Sequence, residues 1–353
     1  MKKIKAISLF SSAWIWEYYL KSIWIDVVVA NEIIKKRSEC YEFLYPESKM
    51  INGDIRDPEI KKAIKAEIKD DIKILIATPP CQWVSTLWKN KSQDHYEKDK
   101  RNFLIFDTME IIDYWNFDYI LIENVPKFLK MLFPYNWNLS TLEDILIDKY
   151  SDIYEIKITE LNVKDYWVSQ SRPRGIIRIY KKWLHWDLPK KSGVINLEKA
   201  IWHLPSLEAW ENSDILWHFA KAENERYTEA LKHTPTWCSA MKNDVFFPKK
   251  EDWTRMKGFH NTFKRMQWNQ PAPARTTFCW NVNSHNNVHP WRLLPNWVYS
   301  DARALTPLET LIVSSLPEDT KFPEWSTLSF INTIIWEAVP PILLKKLFLS
   351  ITN

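Results

Sequence analysis

The chain has 353 residues, of which 46% are hydrophobic and 26% are charged, with a formal net charge of +4. This composition allows a large core and about two domains, and no apolar run approaches the roughly 18 residues of a membrane span, which excludes an integral membrane protein. The four cysteines form no C-x-x-C pair, which argues against a disulfide framework or a zinc ribbon and fits a cytoplasmic protein.

The first half of the chain alternates predicted strands with predicted helices. Short β-branched runs predict four buried strands, at residues 5–10, 25–30, 72–78 and 118–122. Apolar residues at helical spacing follow Asn31, Asp57 and Asp99. Two further strands are expected at 154–160 and 174–180. This alternation predicts an α/β fold with a mostly parallel sheet that helices cover on both faces.

The pattern changes at about residue 181 and stays irregular to about residue 300, which predicts a second domain. Within it, segment 232–292 holds ten basic and three acidic residues, a net charge of +7, whereas the rest of the chain sums to −3. A basic segment is typical of a surface that faces nucleic acid, although a solvated loop surface can carry similar charge. Helical periodicity returns after Leu305, and a final amphipathic helix is predicted at 342–349.

Ligands of an open parallel sheet bind at the carboxyl ends of its strands, so the residues there form the candidate site. The first strand leads into the turn 8–17, where backbone amides could approach a cofactor. The second strand places Glu32 where a nucleoside-binding sheet holds the ribose diol, and the third is followed by Asp54 and Ile55. Each acid alone is better explained as a cap or a surface charge. Their order along the sheet favours a nucleoside cofactor.

The fourth strand leads into Pro79-Pro80-Cys81-Gln82. Two prolines make the backbone rigid and remove its N–H donors, so they present Cys81 at a fixed angle at the mouth of the sheet. A cysteine is usually a small buried hydrophobe. Because that role does not explain the prolines, a positioned nucleophile is the better hypothesis.

Three further side chains complete the candidate catalytic group. The fifth strand ends in Glu123, which places a carboxyl group beside the Cys81 loop. Arg172 and Arg174 stand two residues apart, so their guanidinium groups share one face of an extended segment. Such a pair suits an anionic oxygen or a base carbonyl.

These segments together resemble the motifs of the cytosine-5 DNA methyltransferases, in particular those of prokaryotic restriction-modification systems. The similar segments are the cofactor-binding motif at 8–17, the helix-opening D-x-R-N at 99–102, the catalytic loop at 79–82, Glu-Asn-Val at 123–125, Q-x-R-x-R at 170–174, R-x-L-T-x-x-E at 303–309 and the Ala-Val-Pro-Pro motif at 336–341. They cover nearly the whole chain in the family's order.

The resemblance implies a Rossmann-like sheet that binds S-adenosyl-L-methionine and a DNA (cytosine-5-)-methyltransferase activity (EC 2.1.1.37 class). Cys81 would add as a thiolate to C6 of a flipped-out cytosine, and Glu123 would protonate N3. Arg172 and Arg174 would hold the base carbonyl or a phosphate and favour the thiolate. The implied cofactor-binding residues are Phe10, Ser11, Glu32, Asp54, Ile55, Pro79, Ala338 and Val339.

The resemblance also implies a domain plan and partners. We expect a catalytic domain at 1–180, completed by 326–353, and a smaller domain at 181–325, with target-recognition loops at about 181–302. Its basic residues would mainly contact phosphates, and fewer residues would read base edges. The expected partners of a monomeric enzyme are double-stranded DNA and, in a restriction-modification system, a companion endonuclease. No metal is expected, because Cys279, His285 and His289 lack a fourth ligand.

Three alternatives share part of this pattern. A nicotinamide-dependent oxidoreductase would have the sheet and the strand-end acid, but not the cysteine, glutamate and arginine motifs together. An RNA cytosine-5 methyltransferase of the same family is a second alternative, and the long basic segment favours DNA over it. The third is a catalytically inactive relative that binds DNA without transferring methyl groups.

Tryptophan stands where the family's motifs have glycine. The chain has 4 glycines and 21 tryptophans, whereas on the order of 25 glycines are expected at about 7%. Five tryptophans, which we call the motif tryptophans, replace motif glycines: Trp14, Trp16, Trp83, Trp167 and Trp336. Four more fall at turn-like positions: Trp24, Trp88, Trp291 and Trp297. Some bacterial lineages read UGA as glycine, and we hypothesise that such codons are rendered here as tryptophan, with a few genuine exceptions such as Trp268.

Overall fold

Eleven strands are present in the computed structural model, which describes residues 3–13, 15–80, 100–274 and 280–352. They are β1 (Ile4–Leu9), β2 (Ile25–Glu32), β3 (Lys49–Asn52), β4 (Ile72–Ala77), β5 (Tyr119–Asn124), β6 (Leu132–Tyr135), β7 (Asn138–Thr141), β8 (Tyr154–Asn162), β9 (Gln170–Ser171), β10 (Pro173–Lys181) and β11 (Ala272–Pro273). Seven of them form one sheet in the order β3-β2-β1-β4-β5-β10-β8. The first five pair in parallel, and β10 is antiparallel to both β5 and β8.

The strand order reverses between β1 and β4. After β1 the chain builds outward through β2 and β3, and it then returns to the other side of β1 for β4 and β5. Connections that leave β1 and β4 therefore diverge, and the crevice between them is the usual ligand site of such a sheet. The α/β fold with a mostly parallel sheet, predicted from the alternation of strands and helices, is confirmed.

Nine α-helices lie in the described part of the chain. They are α1 (Lys35–Leu44), α2 (Pro58–Glu67), α3 (Leu104–Tyr114), α4 (Leu142–Tyr150), α5 (Leu197–Ile201), α6 (Glu225–Lys232), α7 (Pro307–Val313), α8 (Leu328–Glu337) and α9 (Pro341–Thr352). The start of α2 follows from local sequence, because Asp57 accepts a hydrogen bond from the Glu59 amide at 2.9 Å and Pro58 occupies the first turn. Among the described helices, none is long and apolar enough to cross a bilayer.

One large buried cluster joins the sheet to α2, α3 and α4. Leu75 and Ile120 come from the neighbouring strands β4 and β5, and Ile64, Ile111 and Leu146 come from the three helices. All five side chains are fully buried. Each such burial contributes about 1.5 to 3 kcal/mol, so this cluster holds the helices on the sheet and fixes the strand ends.

The chain divides into two compact units. The first comprises residues 1–162, 173–190 and 343–353 and contains the seven-stranded sheet, and the second comprises 163–172 and 191–342. The predicted domain boundary between residues 180 and 181 lies within residues 173–190, which all belong to the first unit. Which unit recognises DNA stays a prediction.

A buried ionic network holds the second unit together around Arg303. Its guanidinium donates to Asp301 Oδ1 at 2.8 Å, to Glu309 Oε2 at 2.7 Å and to the Leu207 carbonyl at 2.7 Å. Glu309 also closes the capping box of α7 with Thr306. Burial raises the pKa of Glu309, but the charges of Arg303 and His289 and the hydrogen bonds from Arg303 and the Thr306 amide together outweigh burial and lower that pKa to about 2.

We expect Arg303→Ala to destabilise the protein by about 3 to 5 kcal/mol, because it leaves two carboxylates buried without their counter-charge. Chemical denaturation followed by tryptophan fluorescence measures this loss. Arg255→Ala is the matched control, since Arg255 is exposed and lies 3.5 Å from an exposed Asp244. Equal losses in the two variants would contradict a stabilising role for the buried network.

Candidate active site

The turn after β1 packs against the end of β2. The Ser11 amide donates to the Asn31 carbonyl at 3.0 Å, and the Ser12 amide donates to Glu32 Oε2 at 3.0 Å. Phe10 and Ser12 have left-handed backbones, with φ of 58° and 51°. The structure therefore brings three expected cofactor residues, Phe10, Ser11 and Glu32, to one edge of the sheet.

Glu32 is buried and holds two backbone segments in place. Besides the Ser12 amide, it accepts a hydrogen bond from the Ile34 amide through Oε1 at 2.8 Å. Each carboxylate oxygen has two lone pairs, so these bonds leave acceptor capacity for a ribose hydroxyl. They also fix the orientation of the carboxylate.

The end of β3 places Asp54 and Ile55 beside this turn. Asn31 Nδ2 donates to the carbonyls of Ile51 at 2.8 Å and Gly53 at 3.1 Å, which ties β2 to the segment after β3. Asp54 pairs with Arg56, and this hydrogen bond lowers the pKa of the Asp54 carboxyl. Ile55 is buried. Gly53 has a φ of 157°, and a Cβ there would lie 2.4 Å from Ile60 Cδ1, so this position requires glycine.

Glu17 is a buried carboxyl group that the sequence analysis missed. It accepts hydrogen bonds from Ser8 Oγ and from Tyr41 Oη, the latter at 2.6 Å, and so joins β1, the following turn and α1. Burial raises its pKa to about 7, and the two hydrogen bonds only partly oppose that shift. Two sequence features could have indicated this buried group. Glu17 ends the turn of the cofactor-binding motif, and Ser8 is a polar residue inside a buried strand.

The raised pKa of Glu17 makes stability depend on pH in a definite direction. Between about pH 4.5 and 7 the folded protein binds a proton at Glu17 that the unfolded chain releases, so this contribution is complete below pH 4.5 and is lost as the pH rises through 7. The change amounts to about 3 kcal/mol at most. Glu17→Gln should remove this pH-dependent contribution to stability. The measurement is the free energy of unfolding of the parent and the variant at pH 5 and at pH 8.

The control for this measurement is Glu59→Gln, which removes the same charge at an exposed site. It should leave the pH dependence of the parent unchanged. A Glu17→Gln variant that loses stability between pH 5 and 8 as steeply as the parent would contradict the assignment.

The candidate catalytic carboxyl, Glu123, lies at the end of β5 next to β10. Arg174 Nε lies 2.6 Å from Glu123 Oε1, and both side chains are almost buried, with 12% and 10% exposed. Burial lowers the pKa of Arg174, while the charge of Glu123 opposes that effect. The pair fixes the carboxyl group at the strand end, since a guanidinium in contact restricts its rotation.

Asn124 links β5 to the segment that leads into Cys81. Its Nδ2 donates to the Pro79 carbonyl at 2.9 Å, while its Oδ1 accepts from the Val125 amide at 2.9 Å. Thr78 Oγ1 donates to the Phe10 carbonyl at 2.9 Å, which joins the ends of β4 and β1. The expected nucleophile, Cys81, and the motif tryptophans at 14 and 83 lie outside the described residues.

Arg172 and Arg174 have different hydrogen-bond partners among the described contacts, although they stand two residues apart. Arg172 belongs to the second unit, where Nη1 donates to the Trp336 carbonyl at 2.7 Å and Nη2 to the Glu337 carbonyl at 2.5 Å. These carbonyls directly precede Ala338 and Val339. The structure therefore places Arg172 on the backbone that leads to two expected cofactor residues. Long-range partners of this kind give no signal in the local sequence.

Metal ligands are not grouped in the described part of the chain: no cluster of three or more His, Cys, Asp or Glu side chains could hold an ion there. His289 is instead buried between two carboxylates, 3.6 Å from Asp301 and 3.5 Å from Glu309. Burial lowers its pKa to about 4 despite these charges. Cys279, which the sequence analysis weighed as a ligand, lies outside the described residues.

Similar structures share this fold along their whole length. A prophage-encoded DNA modification methyltransferase of E. coli aligns with a TM-score of 0.70 at 18% identity, over 99% of each chain. DNMT2 of Spodoptera frugiperda aligns with a TM-score of 0.63 at 18% identity, again over 99% of each chain.

Two type II methyltransferases are more similar to this chain in sequence than these two solved structures are. Type II methyltransferase M1.HgaI of Avibacterium volantium is 40% identical over 353 residues, which is 100% of this chain and 99% of the relative. M1.HphI of Haemophilus parahaemolyticus is 23% identical over 345 residues, covering 97% of this chain and 84% of the relative. The family model for C-5 cytosine-specific DNA methylases matches residues 4–353. With that match running from the first strand to the last helix, the chain belongs to the C-5 cytosine-specific DNA methylase family.

Proposed function

We propose that the protein transfers a methyl group from S-adenosyl-L-methionine to C5 of a flipped-out cytosine in a specific sequence of double-stranded DNA, through a covalent bond between Cys81 and C6. One observation carries this proposal. The Glu123 carboxyl is paired with Arg174 at the end of β5, and the next residue, Asn124, holds the Pro79 carbonyl, two residues before Cys81 in the chain.

The strand ends fit the expected cofactor. Glu32 offers a fixed carboxylate for ribose hydroxyls, Asp54 and buried Ile55 follow on the next strand, and the left-handed turn at Phe10 and Ser12 exposes backbone beside them. Bound S-adenosyl-L-methionine supplies an electrophilic methyl group. Pro79 completes the proposed set within the first unit, whereas Ala338 and Val339, in the second unit, are proposed from the sequence motif alone.

Cys81 is the proposed nucleophile toward the cytosine ring, and Glu123 is the proposed proton donor. The Cys81 thiolate adds to C6 while the proton held by Glu123 passes to N3, so the negative charge that enters the ring is neutralised as the bond forms. This makes C5 nucleophilic. Methyl transfer leaves S-adenosyl-L-homocysteine. Water then takes the C5 proton, the C6–S bond breaks to release the Cys81 thiolate, and the N3 proton returns to Glu123, which restores the aromatic ring.

The two arginines have different proposed roles. Arg174 touches the Glu123 carboxyl at 2.6 Å and holds it toward the base. Arg172 is a positioning residue, because its guanidinium holds the carbonyls of Trp336 and Glu337. The sequence-based expectation that both hold a base carbonyl or phosphate remains untested.

The second unit is the proposed DNA-recognition part. Its basic segment 232–292 includes exposed Lys250, Arg255 and Lys257, which suit phosphate contacts. Arg265 in the same segment is not available to DNA, because it is fully buried and donates to carbonyls that include those of His289 and Leu231. A companion restriction endonuclease is proposed from the type II methyltransferases among the relatives.

The test of the proposal is transfer of labelled methyl groups to unmethylated duplex DNA and, in parallel, to transfer RNA. Assays use the unchanged chain and a chain with glycine at the five motif tryptophans. Cys81→Ala should abolish transfer and retain DNA binding. Glu123→Gln should slow transfer about 10² to 10⁴-fold, because it cannot supply the proton.

Two outcomes would overturn this function. The first is full activity in Cys81→Ala, and the second is transfer to RNA in preference to DNA. Bisulfite sequencing of DNA from cells that express the protein identifies the methylated sequence.

Asn124→Asp tests the positioning of the Cys81 loop without a change in side-chain shape. Aspartate still accepts from the Val125 amide but cannot donate to the Pro79 carbonyl, so the loop loses its anchor. We expect kcat to fall about tenfold to a hundredfold, as misplacement of a reacting group does, with KM for S-adenosyl-L-methionine changed much less. Asn138→Asp, at an exposed position, is the control. An unchanged kcat in Asn124→Asp would exclude this role.

A further inference from the structure

Half of the described tryptophans have a left-handed backbone. Of the 21 tryptophans, 18 lie in the described ranges, since residues 14, 83 and 88 do not. Nine of these have φ between 62° and 107°: Trp24, Trp137, Trp167, Trp210, Trp217, Trp237, Trp253, Trp291 and Trp297. Among all other described residues except glycine, only seven have a positive φ.

A left-handed backbone opposes any residue with a Cβ atom. The clash between Cβ and the neighbouring carbonyl disfavours the folded state about fivefold to thirtyfold at each such position, and bulky residues are clear outliers there. Glycine avoids the clash. Packing of the indole could offset it, but seven of the nine are exposed, and Trp297 and Trp137 are 80% and 106% exposed.

The turn between β6 and β7 shows the requirement most clearly. Asn136 and Trp137 form a two-residue hairpin loop with φ of 46° and 67°. Positive φ at both central residues defines a type I′ turn, and the sequence that such a turn prefers is Asn-Gly. Tryptophan therefore occupies the glycine position of this turn.

The end of the short helical turn at 20–23 shows the same substitution at a helix cap. Trp24 follows it with φ 63° and ψ 26°, and its amide bonds to the carbonyls of Leu20 and Lys21. A left-handed residue at this place is usually glycine, because it closes the last carbonyls without a Cβ clash. Trp24 is also exposed, at 47%.

Three other tryptophans have ordinary backbones and use their indoles. The Nε1 atoms of Trp115, Trp186 and Trp268 donate to backbone carbonyls at 3.1, 2.6 and 2.6 Å. Trp186 is only 2% exposed, and its ring stacks on Phe348. Trp167, Trp210 and Trp217 in the left-handed group also donate from Nε1. The two groups therefore differ in backbone, because tryptophan carries no Cβ clash at 115, 186 and 268.

We infer that glycine is the native residue at the nine left-handed positions, encoded by UGA that the source lineage reads as glycine. Five of them, at 137, 210, 217, 237 and 253, are neither motif tryptophans nor the turn-like positions named from the sequence, so the structure extends the assignment to new positions. Trp115, Trp186 and Trp268 are genuine tryptophans.

The gene provides the first test. We expect UGA codons at the nine positions and UGG codons at 115, 186 and 268. UGG at the nine positions would end the inference, and so would UGA distributed equally between the two groups.

Matched variants provide an independent physical test. Trp137→Gly should raise the melting temperature by about 2 to 4 °C, whereas Trp137→Ala keeps a Cβ and should gain much less. Trp186→Gly should lower it or prevent folding. If the unchanged chain does not fold, the chain with glycine at the other eight positions serves as the parent. Equal effects of glycine and alanine at position 137 would show that backbone strain is not the cause.

Discussion

The hydrogen bond from Thr78 Oγ1 to the Phe10 carbonyl closes the point at which the sheet reverses its strand order. It joins the residues that directly follow β1 and β4, where two loops begin. One loop carries the expected cofactor residues, and the other carries the expected nucleophile. In the proposed mechanism this junction is important, because a shift of either strand end would change the distance between the expected cofactor residues and the start of the segment that leads to Cys81.

Polar side chains in the family motifs act mainly on the backbone. Asn124 holds the Pro79 carbonyl, and Arg172 holds two carbonyls before Ala338. Arg303 does the same for the second unit. Glu17 is different, because it binds the side-chain hydroxyl groups of Ser8 and Tyr41. Buried polar groups that are fully paired make a loop rigid, so the motifs specify loop geometry as well as chemistry.

The strands and the residues at their ends were predictable from the sequence, because both depend on local patterns of residues. Runs such as Ile72–Ala77 and Tyr119–Asn124 are strands because β-branched residues fit a buried sheet, and the candidate residues at 32, 54 and 123 follow because strand ends meet at one edge. The pairing of Arg174 with Glu123 and the raised pKa of Glu17 were not predictable. Both depend on burial and on partners brought together by the sheet, which local sequence does not encode.

The left-handed turns have a consequence for inheritance. If their codons are UGA, the first of them is at position 24, and a ribosome that uses the standard code would stop after Ile23. Such a gene yields no enzyme outside lineages that share the reassignment. A modification gene that entered a standard-code cell together with an endonuclease would leave that cell's DNA unprotected. UGA codons at these nine turns would thus restrict the gene to lineages that read UGA as glycine.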